Sequence, residues 1–178
     1  MYSKVKVAGH PIHPMLIAFP VAFYVGTFVS FLIYQSGGDP FWYRAGYVAN
    51  VAGVIMALVA AVPGFIDWYA GIPRNTAPKR DGAIHAALNV AALLLFAINL
   101  WVTSSAWPEW ESQPPESAAA PLLIALLGVL CTGAAGWFGW RLVQTHHVGV
   151  DLTRSQQRLE PVDVRDSEEY RGRDRLSR

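Results

Sequence analysis

The 178-residue chain has a single cysteine, Cys131. One thiol cannot close a disulfide within the chain, and neither a CxxC nor a CxxCH motif can be written. Charge is scarce as well. Asp, Glu, Lys and Arg make up 15% of the residues against 53% hydrophobic, and no charged side chain occurs from Met15 to Ile33. There is no glycine-rich phosphate loop, no nucleophile elbow and no HExxH metal signature. The chain therefore reads as no enzyme on its own. Its C-terminal arginines are matched by acids and lack interleaved aromatics, so nucleic acid is not an expected partner. No cleavable signal peptide is expected, because the first apolar run is long and three more of its kind follow it.

What the chain has in abundance is long apolar runs. Nineteen uncharged residues from Met15 to Ile33 suit a hydrocarbon core of about 30 Å at about 1.5 Å rise per residue. Four such segments are expected, at about residues 14–34, 43–66, 81–103 and 121–143. Turn and loop residues separate them: Ser36-Gly37-Gly38-Asp39-Pro40, Gly71 to Arg80, and Ser104 to Ala120. The expected fold is all-α, a four-helix transmembrane bundle spanning residues 14–150 with the lipid bilayer as its solvent. A head of residues 1–13 precedes it. The tail, residues 151–178, holds seven arginines and seven acids; with almost no apolar residues it is expected to be disordered. Ala45, Ala49, Gly53, Ala57 and Ala61 are four apart and suggest a close-packing face, as do Gly133, Gly136 and Gly139. Trp42, Tyr43, Trp68, Tyr69, Trp101, Trp107 and Trp110 sit near segment ends, where aromatic residues favour the interface.

The basic residues set the orientation. With four spans, one side receives Lys4, Lys6, Arg74, Lys79, Arg80, Arg141 and the tail arginines, and the other receives only Arg44. Under the positive-inside rule both termini are cytoplasmic, in a bacterial inner membrane.

That topology gathers the chemistry-bearing residues. His10 and His13 lie in Gly9-His10-Pro11-Ile12-His13-Pro14, where each histidine precedes a proline and is pushed toward an extended shape. Pro14 can open a helix, so His13 is expected at its mouth. Asp67 ends the second segment. Asp81, His85 and Asn89 are four apart on one face of the third, and His146 and His147 follow the fourth. All five histidines thus fall in one layer. A neutral imidazole is a ready ligand for iron or another transition metal. His13 and His85 are the leading ligand candidates, with His146 a third and His10 a further one. Asp67 and Asn89 are candidates to orient the imidazoles. The plainer reading is that these polar side chains tie the helix ends together. Cys131 reads as a small packing residue.

These motifs also carry a resemblance. His10-Pro11-Ile12-His13-Pro14 with Phe19-Pro20 resembles the opening of the bacterial integral-membrane family catalogued as domain of unknown function 2231. Pro63-Gly64-Phe65-Ile66-Asp67-Trp68, His85-Ala86-Ala87-Leu88-Asn89 and Gly136-Trp137-Phe138-Gly139 match it further. His146 and Val148-Gly149-Val150 complete the likeness, which covers about residues 9–150. It implies a four-helix membrane protein and no reaction. It picks out His10, His13, Asp67, His85, Asn89 and His146, while His147 departs from the pattern.

Three functions follow as expectations. The first is a redox subunit holding haem b or a transition metal on the histidine layer, working with a redox partner subunit or as a homo-oligomer. The second is a proton-linked small-solute transporter or permeability component. The third is a purely structural membrane subunit.

Overall fold

The computed structural model describes residues 3–104 and 115–150. The lead-in is a short antiparallel hairpin in which β1 (Lys6–Val7) pairs with β2 (His10–Pro11). This ladder is the one departure from an all-helical fold among the described residues. It turns through Ala8 and Gly9, both at positive φ. Helix α1 (Ile12–Leu16) follows directly, and the hairpin caps it: Ile12 N–H donates to Val5 O at 3.1 Å. His13 therefore lies inside the first turn rather than ahead of it. Pro14 is tolerated there because first-turn N–H groups have no intrahelical acceptor.

After Ile17 the chain continues as α2 (Ala18–Gln35). The interruption has a cause in the sequence: Pro20 has no N–H to offer Leu16, the last residue of α1. Helix α3 (Pro40–Ile66) opens on a cap in which the Asp39 carboxylate accepts from Phe41 N at 2.7 Å, with Pro40 at the first helical position. It runs past Pro63 into a π-helical turn, Asp67–Gly71. Lys79 fits over the end of this turn. Its Nζ donates to Trp68 O and Tyr69 O, while Trp68 Nε1 donates to Lys79 O.

Helix α4 (Ala77–Ser104) begins four residues before the expected Asp81. Thr76 accepts from the amides of Lys79 and Arg80, and Pro78 sits in the first turn. Thr-Ala-Pro is a helix-start signal that the neighbouring basic residues hid. Helix α5 (Ala119–Gln144) completes the bundle. Four helical stretches, Ile12–Gln35, Pro40–Gly71, Ala77–Ser104 and Ala119–Gln144, are long and apolar enough to cross a membrane. The expected tail, residues 151–178, and the aromatic residues Trp107 and Trp110 lie outside the described residues.

Helices α2 and α3 form one antiparallel hairpin, and α4 and α5 form another. Between hairpins, α2 packs on α5 and α3 packs on α4, which leaves α2 and α4 on a diagonal. The core is built from Tyr24, Phe31, Tyr43, Phe96, Ala118 and Ala125. Large apolar side chains such as Leu58, Val62, Leu94, Leu127 and Leu130 point outward. So much exposed apolar surface suits lipid rather than water.

The close-packing face of α3 differs from the expected one. Its buried positions are Tyr43, Gly46, Asn50, Gly53, Ala60 and Pro63. A strict four-residue spacing advances about 40° per step around a helix of 3.6 residues per turn. Gly53 and the half-buried Ala57 stay on the inner side, while Ala61 has rotated out. In α5, Gly139 takes a close approach, but Gly133 and Gly136 face open space.

Candidate functional site

One end of the bundle collects the polar side chains. The N-terminal head, the end of α3, the start of α4 and the end of α5 all meet there. The chemistry separates into three groups.

The central group is a pair of imidazoles. His13 from α1 and His85 from α4 face each other on the bundle diagonal, with ring centres 6.3 Å apart and planes at 90°. Both are half-buried. His13 Nδ1 lies 2.8 Å from Ala60 O, and His85 Nδ1 lies 2.8 Å from Ala135 O. A carbonyl can only accept, so in each ring Nδ1 carries the proton, and in the neutral imidazole Nε2 carries the lone pair. Asn89 Nδ2 donates to His85 Nε2 at 3.2 Å and to His85 O at 2.9 Å.

Each ring rests on a glycine. A Cβ built on Gly64 would lie 2.6 Å from His13 Nδ1, and one on Gly139 would lie 3.1 Å from the His85 ring. In both cases the glycine stands four residues after the alanine whose carbonyl accepts the imidazole proton. The correspondence extends down the bundle. Tyr24 and Phe96, each eleven residues after its histidine, stack at 3.7 Å with planes 4° apart. Tyr24 lies on Gly53 and Phe96 lies on Gly128, each eleven residues before its histidine's glycine. The two hairpins thus repeat one pattern: histidine and aromatic ring on the first helix, glycine, alanine and glycine on the second.

The second group is centred on Asp81, which is 1% exposed. Its Oδ2 accepts from Arg141 at 3.0 Å and lies 2.9 Å from His146 Nε2. His146 is therefore engaged with Asp81 rather than with the imidazole pair. This cluster ties the start of α4 to the end of α5.

The third group is centred on Asp67. Its carboxylate accepts from Ser3 Oγ at 2.7 Å, Lys4 N at 2.6 Å and Val5 N at 3.1 Å. These bonds fasten the head that leads to His13, and none of them goes to an imidazole. His10 is exposed and bonds locally, with Nδ1 2.9 Å from Ala8 O.

The sequence-expected layer is present, therefore, but its members do not converge on one point. His13, His85 and Asn89 come together. His146, Asp67 and His10 go elsewhere. The sequence reading missed Asp81 as the partner of His146, and it missed Gly64 as a ring seat. A glycine four residues after an alanine, at Ala60/Gly64 and Ala135/Gly139, was the available signal, and a weak one, because Ala22/Gly26 and Ala49/Gly53 share the spacing.

A family model described as predicted membrane protein (DUF2231) matches residues 9–152. No curated protein and no solved structure matches the chain. The match covers all four helical hairpin arms and the polar groups apart from Ser3, Lys4 and Val5, and the chain belongs to this family of predicted membrane proteins.

Proposed function

We propose that this protein is a multi-pass redox subunit of the bacterial inner membrane that holds one haem b between His13 and His85. The supporting observation is the imidazole pair itself. Two rings from diagonal helices have their Nδ1 protons held by backbone carbonyls, which would leave the Nε2 atoms of the neutral rings to serve as ligands. Sites in helix bundles are commonly built from side chains on facing helices in this way.

The donor set favours haem over a bare ion. Among the described residues no group of three or more His, Cys, Asp or Glu is arranged to hold a metal ion. A structural zinc site needs four ligands, whereas haem iron brings four of its own and takes two axial ones. Ring centres 6.3 Å apart would allow both imidazoles to hold one metal atom. Bound haem would supply one-electron chemistry, and the protein supplies position and electrostatics.

The chain's own residues divide that work. The Ala60 and Ala135 carbonyls set the tautomer and ring direction. Asn89 would give up its bond to His85 Nε2 if that atom held a metal, and would keep its bond to His85 O. Asp81 with Arg141 and His146 holds the α4–α5 end, and Asp67 holds the lead-in to His13. Lys4, Lys6, Arg74, Lys79, Arg80 and Arg141 belong to the histidine end and Arg44 to the other, which supports a cytoplasmic site and cytoplasmic termini. Electron transfer then requires a partner subunit or a second copy.

The test is the haem-to-protein ratio of the full chain, purified in detergent from cells supplied with haem. The wild type and His146→Ala are expected near one to one. His13→Ala and His85→Ala are expected to lose haem with helical content retained. Haem-free wild type, or full occupancy in both variants, overturns the reading. A structural reading has its own support, since each imidazole bonds across to a neighbouring helix. It predicts a lower melting temperature in the two variants and no bound haem in any sample.

A further inference from the structure

A second polar layer lies deeper in the bundle. Tyr24 and Phe96 stack on the diagonal. Helices α2 and α4 run parallel, so Thr27 and Asn99, each three residues on, stand about 4.5 Å beyond the stack, away from the imidazoles. Helix α3 runs the other way, with Gly53 against the Tyr24 ring. Asn50, three residues earlier, is therefore level with Thr27 and Asn99.

All three side chains are 0% exposed. Thr27 Oγ1 donates to Phe23 O at 2.8 Å, and Asn99 Nδ2 donates to Pro121 O at 2.8 Å. Among the described residues, four further buried atoms have no protein partner: Asn50 Oδ1, Asn50 Nδ2, Asn99 Oδ1 and Tyr24 Oη. Polar groups left unpaired in an apolar interior are costly, and a membrane interior provides no bulk water to relieve them. Buried polar groups of this kind are normally paired with protein or ordered water.

The chemistry of the unpaired atoms selects the guest. A cation cannot accept from Asn50 Nδ2. An anion cannot donate to Asn50 Oδ1 or Asn99 Oδ1. Water does both, and buried water commonly makes about three hydrogen bonds. We propose that Thr27, Asn50 and Asn99 line an internal hydration site that binds a small cluster of water in the middle of the bundle. The Tyr24–Phe96 stack lies between this cluster and the imidazole pair, and Tyr24 Oη is a further polar atom at the edge of the site. The site stands independently of the haem reading.

Proton-detected solid-state NMR on the full chain in lipid bilayers tests it. The side-chain amides of Asn50 and Asn99 should exchange magnetisation with water. Asn50→Ser, which keeps a donor and an acceptor, should preserve the water contact at Asn99. Asn50→Leu should weaken that contact, with the His13 and His85 ring signals unmoved. Asn50 amide protons that correlate with a protein carbonyl and show no water contact overturn the proposal. So does an Asn50→Leu variant that melts higher while Asn99 keeps an unchanged spectrum.

Discussion

The two hairpins agree at one end and differ at the other. At the histidine end, each places an imidazole on a glycine and its Nδ1 2.8 Å from an alanine carbonyl. One level deeper, each places an aromatic ring on a second glycine. Toward the far end the match fades. Phe31 packs on Gly46 in the first hairpin, while in the second Asn99 bonds Pro121 O and Thr103 bonds its own helix. The fastenings also differ. The first hairpin is secured by Asp67 holding the chain before α1, and the second by Asp81 holding the chain after α5. Packing alone is satisfied by many apolar combinations. The duplicated geometry is thus concentrated at the imidazole pair and the aromatic stack next to it.

The comparison can be broken first at its fastenings. Asp81→Ala leaves a half-exposed Arg141 and a half-buried His146 without their shared carboxylate. Removing one member of a buried pair costs about 3–5 kcal/mol; with Arg141 35% exposed, about 2–3 kcal/mol is expected. Thermal unfolding in detergent should show the largest fall of the set here. Asp67→Ala should cost less, about 1 kcal/mol, because its partners are on a short exposed head. Limited proteolysis should cut residues 3–11 faster in that variant.

The glycine seats come next. A Cβ on Gly128 would lie 2.5 Å from Phe96, and one on Gly53 would lie 2.8 Å from Tyr24. Both rings are locked in one stack, so Gly128→Ala and Gly53→Ala should each destabilise by about 1–3 kcal/mol. Gly139→Ala meets its ring at 3.1 Å and should be milder, below about 1 kcal/mol, yet it should shift the His85 ring signals in NMR. Gly133→Ala, with nothing within 4 Å, should stay within about 0.5 kcal/mol of wild type. Equal effects at Gly128 and Gly133 would contradict the packing described.

The fold was legible because lipid imposes long apolar runs and satisfied backbones. Spans, turns and a common histidine end all followed from hydropathy and charge. The choice of partners within that end did not. Whether His146 meets His85 or Asp81 depends on helix rotation and register, which an almost uniformly apolar helix encodes weakly. Asp67 looked like an imidazole partner because it shares a level with the histidines; in fact three donors from residues 3–5 occupy it. The start of α4 at Ala77 was hidden by Lys79 and Arg80, which read as loop although Thr76 and Pro78 signalled a helix. The hairpin repeat was faint because only His, Gly and Ala recur while other core positions exchange freely.

The most direct measurement is electron paramagnetic resonance of the oxidised, haem-loaded protein in detergent. Two imidazole ligands predict a low-spin ferric signal with the strong anisotropy of near-perpendicular ring planes, lost in His13→Ala and in His85→Ala alike. A high-spin signal in the wild type, or a low-spin signal that survives either substitution, would contradict a site shared between the two hairpins.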